Sequence, residues 1–166
     1  MKDTNTPRSS QTDAPLNPLR KTPDAVVAQL EAAAVKLYAK KKLMRARSYL
    51  EQLVVMRPEN AKYWALLGVV WRRQKQRGAA LKCLKRAAEL DPTDFNTLVN
   101  LGETLVEVGQ VPAGVGLLRA VFDEGFDPSK PPAEQDEMTI RSGAMLEFIQ
   151  KSLHAYVDAE KEQAEV

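Results

Sequence analysis

The sequence predicts an all-α fold, three stacked helix pairs closed by one further helix. Three observations lead there. Residue types recur at a fixed offset of 34 positions: Leu30, Trp64 and Leu98; Ala34, Gly68 and Gly102; Leu37, Trp71 and Leu105; Ala46, Ala80 and Gly114; Leu50, Leu84 and Leu118. Within each window the apolar residues fall three and four apart, the period of one helix face. Pro58 and Pro92 close the first two windows at the same register, and proline disfavours helix in the residue before it.

Residues 1–22 hold Pro7, Pro15 and Pro18, five Ser/Thr hydroxyls before Thr22 and almost no apolar periodicity, so disorder is expected there. Thr22-Pro23-Asp24 then reads as a helix start: a hydroxyl at the N-cap, proline at the first helical place, an acid in the first turn. The repeat region is expected over 23–128, with windows at 27–60, 61–94 and 95–128. Helices are expected at 23–39, 43–56, 60–75, 77–90, 94–108 and 111–124. Small residues (Ala34, Gly68, Gly102, then Ala46, Ala80, Gly114) let the two helices of a pair approach closely. One pair cannot bury its own apolar face, whereas three stacked pairs share a continuous core. The third window has Phe126 in place of the closing proline, with Pro128 beyond, as suits the end of an array. A Pro-rich break from Pro128 to Pro132 precedes a capping helix expected over 133–162. Its stripe is Met138, Arg141, Met145, Leu146, Ile149, Leu153, Tyr156 and Val157.

Composition narrows the function classes. No apolar run approaches the ~20 residues of a membrane span, so membrane insertion is not expected. Neither is a secretory signal, because the N-terminus lacks an apolar stretch of ~7–15 residues. Cys83 is the single cysteine, which rules out an internal disulfide framework and suits a reducing compartment; a cytoplasmic location is expected. No enzyme is expected either. His154 stands alone, Cys83 has no second ligand near it in sequence, and no phosphate-cradling Gly-rich loop is present. No cofactor and no metal are expected.

The net charge of +2 conceals a division. Lys40 to Arg86 carries fourteen Lys/Arg against Glu51 and Glu59, while Ala87 to the C-terminus carries five Lys/Arg against sixteen Asp/Glu. Three readings follow: a solvated surface, pairing of two copies in a homodimer, or a nucleic-acid-associated regulator using the basic half. The solvated surface is preferred. Arg72, Arg73 and Lys75 sit where cations meet a helix C-terminus. Most of the other basic residues fall on the second helices, so no specific nucleic acid is expected.

The 34-residue pattern resembles the tetratricopeptide repeat, a helix–turn–helix unit that stacks into a right-handed solenoid. The middle copy is nearest to it, with Trp64, Leu67, Gly68, Trp71, Ala80, Leu84, Ala87 and Pro92. The resemblance implies a protein that binds another protein along the groove lined by its first helices. The residues it places there are Glu31, Val35 and Tyr38 from the first pair, and Lys62, Ala65, Val69 and Arg72 from the second. Asn96, Val99, Glu103 and Val106 come from the third. Such a surface reads as an apolar centre with Tyr38 as its aromatic anchor and charges at its rim, suited to an extended, partly apolar segment.

The layout also resembles a narrower family, the bacterial class II chaperones of type III secretion. It does so in size, in Leu37-Tyr38, Ala46 and Tyr49-Leu50, in Leu66-Leu67-Gly68, and in the tail Arg141-Ser142-Gly143-Ala144-Met145-Leu146-Glu147-Phe148-Ile149. That resemblance implies a cytoplasmic chaperone holding translocator proteins before export. The alternative is a generic interaction scaffold of a secretion or envelope assembly. The polar N-terminal segment departs from the family, whose N-terminal helix supports dimerisation.

Overall fold

The computed structural model describes residues 18–164. Seven helices follow in order: α1 Asp24–Ala39, α2 Leu43–Met56, α3 Ala61–Arg73, α4 Arg77–Leu90, α5 Phe95–Glu107, α6 Val111–Gly125 and α7 Glu137–Ala164. Helices α1/α2, α3/α4 and α5/α6 pair, each pair stacks on the next, and α7 closes the array against α6 and α5. Among the described residues there is no strand. The expected disorder of residues 1–22 falls largely outside the described residues, but its end is ordered. Pro18–Lys21 form a 3-10 turn, held where Arg57 donates to the Arg20 and Thr22 carbonyls. The Thr22 hydroxyl donates to the Leu19 carbonyl and does not cap α1, which begins after Pro23 without a side-chain cap.

Helix starts and turns explain why the register survives. Asn60 accepts from the Lys62 amide at the start of α3, and Asp94 from the Asn96 and Thr97 amides at the start of α5. The turn inside each pair is the same motif three times. A left-handed residue ends the first helix: Lys41 at φ 57°, Lys75 at φ 64°, Gly109 at φ 84°. Its amide and the next one bond back to the last helical carbonyls, as from Lys75 to Arg72 and from Gln76 to Trp71. Only Gly109 adopts this conformation without a steric penalty.

The core follows the repeat positions. Ala34, Ala46, Leu50, Leu53, Leu67 and Val70 fill the first half; Leu84, Leu101 and Leu105 join the halves; Val99, Leu118, Val121 and Met138 fill the second. Trp64 and Trp71 pack against the first cluster, as repeat positions four and eleven require. Trp64 Nε1 donates to the Pro58 carbonyl at 2.8 Å, and the Arg47 guanidinium lies 4.4 Å from the centre of the Trp71 ring.

The seventh helix starts later and runs further than the pattern implies. Pro131 and Gln135 are extended, and Asp136 supplies the cap by accepting from the Met138 and Thr139 amides. At 28 residues α7 is about 42 Å long, roughly twice the length of the helices it covers. Met145, Leu146 and Ile149 pack on the array. Leu153, Tyr156 and Val157 continue the stripe beyond it and are exposed.

The second pair makes a close contact at Gly68, where an added Cβ would come within 2.7 Å of Leu84 Cγ and 3.3 Å of its backbone nitrogen. Leu84 is fully buried and cannot yield. Gly68→Leu should therefore cost at least the roughly 1–3 kcal/mol typical of core overpacking. Thermal melts of the two proteins check this, and an unchanged Tm would contradict the close approach.

Candidate peptide-binding groove

A channel runs along α1, α3 and α5. Two hollows of about 370 and 320 Å³ form it, and they share Val69 and Asn100. Tyr38, Val69 and Arg72 line the larger; Lys62, Ala65, Val69 and Asn96 line the smaller. Val35 is exposed on α1. Tyr38 is half-buried, resting on the first core cluster with the Arg73 guanidinium 5.0 Å from its ring centre. Of the eleven residues expected to line a groove, six thus line these hollows.

The third-repeat end differs from expectation. Val99 is fully buried among Leu118, Val121 and Met138, because α7 covers that part of α5. It is a core residue. Val106 leans against α6, its Cγ2 2.7 Å from where a Cβ on Gly114 would sit. Glu103 is only 5% exposed. Its carboxylate accepts from Arg72 Nη1 on one side and from Arg141 Nε (2.7 Å) and Nη2 on the other. Asn100 Oδ1 accepts from Arg141 as well, at 3.2 Å. The groove is therefore closed at this end by a salt-bridged wall. Its centre is cationic as well as apolar, since Arg73, Lys75, Arg77 and Arg141 also line the larger hollow.

Two acids hold the outer parts of this surface. Glu107 accepts from Arg72 Nε and Nη2 and from Arg77 Nε. Burial works against the Glu107 charge, but the hydrogen bonds and charges of Arg72 and Arg77 outweigh it and hold the carboxyl below its ordinary value. Burial likewise opposes the Arg72 charge, and Glu107 and Glu103 outweigh it, raising that pKa. At the other end Glu31 accepts from Lys62 Nζ and from the Tyr63 hydroxyl at 2.9 Å. The Lys62 hydrogen bond lowers the Glu31 pKa against a smaller opposing effect of burial. Burial and Glu31 together raise that of Tyr63. Cys83 lies buried on α4, and burial pushes its thiol up to about 11, so it stays protonated and is a poor nucleophile.

Sequence reasoning missed Arg141 and Asn100 as groove residues. A signal was present: Arg141 is the one charge on an otherwise apolar stripe of α7, and a cation on a packed stripe needs a buried acid. Glu103, an acid at a groove position, is that partner.

Residues 61–94 match the family model of the tetratricopeptide repeat. The fold is a tetratricopeptide array. Peroxisome biogenesis protein 5 of Arabidopsis thaliana is 39% identical over 66 residues, which is 40% of this chain and only 9% of that protein. Among solved structures, a type III secretion complex from Aeromonas hydrophila superposes with a TM-score of 0.71 at 20% identity, covering 84% of this chain and 90% of that one. The Yersinia enterocolitica type III secretion translocator chaperone SycD gives 0.70 at 20% identity, covering 82% and 91%. PcrH in complex with the chaperone binding region of PopD gives 0.69 at 20% identity, covering 81% and 98%.

Two outcomes are expected of this network. Glu103→Gln leaves two guanidiniums facing an uncharged amide. Because Arg72 and Arg141 both reach solvent, the loss should be about 2–3 kcal/mol, below that of a fully enclosed pair. Urea unfolding measures it, and no change in midpoint would contradict the clamp. The lowered pKa values of Glu31 and Glu107 carry a second consequence. Their contribution to stability is complete above the unfolded value of about 4.5 and is lost as pH falls through the lower folded values. The Tm should drop over that acid range, and less steeply in a Glu31→Gln/Glu107→Gln protein; equal slopes would contradict it.

Proposed function

We propose that this protein holds an extended segment of another protein in the channel along α1, α3 and α5, as a cytoplasmic chaperone of type III secretion translocators. The observation that carries the reading is the channel itself. Tyr38, Ala65 and Val69 offer apolar contacts along it, between Lys62 and Asn96 at one end and the Arg72–Glu103–Arg141 wall at the other. Small side chains on adjacent helices leave side-chain-sized hollows, and fixed charges at the ends set the register of a bound chain. The shape shared with SycD and with PcrH, the latter solved with the chaperone binding region of PopD, supports the choice of client. No helix among the described residues is long and apolar enough to cross a membrane. Function would be protective: apolar stretches of a membrane-active client stay covered until export.

Val69→Asp tests the reading, because Val69 belongs to both hollows and is only half-buried. Client binding would bury an unpaired carboxylate, a cost of several kcal/mol, so affinity should fall about a hundredfold or more. Co-expressed with an insoluble translocator, the wild type should keep it soluble and the variant should not. A variant with an unchanged melt that still holds its client would refute the channel as the binding site and favour a scaffold that binds elsewhere.

A further inference from the structure

The turn edge of the first two pairs carries an unneutralised cluster of cations. Lys40, Lys41 and Lys42 make the α1–α2 turn, and Arg73 and Lys75 flank the α3–α4 turn. These five make no ion pair with a carboxylate among the described residues, although Arg77 and Arg72 beside them are paired to Glu107. The two turns adjoin: Lys41 lines one hollow with Gln74 and Gln76, and Arg73 sits over Tyr38 from the first pair.

Backbone conformation adds a second, independent observation. Lys41 and Lys75 both occupy the left-handed region, at the register where the third pair has Gly109. A lysine is strained there and glycine is not, so these two positions hold a cation at a cost to the fold. Neither lysine repays that cost with an ion pair among the described residues. Strain of this kind, twice at one register and confined to one charged edge, points to a role outside the fold.

We propose that this edge receives an acidic stretch of the bound polypeptide, flanking the apolar anchors that occupy the channel. The proposal rests on the channel as the binding site and adds the partner's chemistry. Lys75 and Arg73 line the same hollow as Tyr38 and Val69, so a chain lying in the channel leaves it across this edge. A nucleic acid is the less suitable occupant. The third turn, Val108-Gly109-Gln110, has no cation, and the chain from Ala87 onward carries sixteen acids, which would repel a polyanion extending past the two basic turns. The client is thus expected to place Asp/Glu residues to one side of its apolar anchors.

The test pans a random dodecapeptide pool against the wild type and against Lys41→Gly/Lys75→Gly, whose glycines suit the left-handed turns. The variant should melt at or above the wild-type Tm; a lower Tm would show that the lysines serve the fold and overturn the inference. Peptides selected by the wild type should pair apolar anchors with an acidic flank. One such peptide should bind the variant about tenfold or more weakly at low salt, while its Glu→Gln version binds both proteins equally. Apolar anchors without acidic bias would overturn the edge and leave the channel standing. Selection of neither would overturn both. A short DNA duplex held at roughly 0.15 M salt by the wild type and released by the variant would give the edge to nucleic acid instead.

Discussion

The buried carboxylate of Glu103 ties the second repeat, the third repeat and the closing helix together at one point. A charge at 5% exposure survives only if cations answer it, and here one comes from each side: Arg72 from the second repeat and Arg141 from the closing helix. Apolar packing between α7 and the array is non-directional and would tolerate sliding. Paired guanidiniums on one carboxylate are directional, so they select the position at which α7 crosses α5. That crossing in turn covers Val99 and ends the channel.

The same interaction explains how a cationic surface coexists with the apolar contacts of the channel. Arg72 is committed to Glu103 and Glu107, and Arg141 to Glu103 and Asn100, so these guanidiniums form a fixed wall. Beside the channel, Arg73 and Lys75 pair with no carboxylate among the described residues and sit at its rim, at the turn of the second pair. The division of charge along the chain thus has a structural reading. The acidic half supplies the partners that hold the cap, and the basic half keeps cations to spare.

Most of the fold was legible because a repeat states its register several times over. Helices α1 to α6 begin and end within two residues of the expected limits, since small residues, apolar residues and prolines at fixed offsets all bound the same elements. The start of α7 was not legible. Pro131 and Pro132 look like a helix entry, but Pro132–Glu134 make only a 3-10 turn and Gln135 is extended again before Asp136 can cap. Nor was the burial of Val99, because periodicity within a repeat does not reveal where a following helix crosses it. Glu103 looked like a rim charge for the same reason. Its burial depends on Arg141, 38 residues away in the chain, a pairing no local pattern encodes.

Partners are expected along the first helices and not on the outer face of the second helices. A photo-activated crosslinking residue placed in turn at Val69, in the channel, and at Lys82, exposed on α4, tests it most directly. Val69 is half-buried and Lys82 exposed, so both proteins should fold. A crosslinked client is expected at position 69 and none at position 82. Crosslinking at 82 with none at 69 would contradict it.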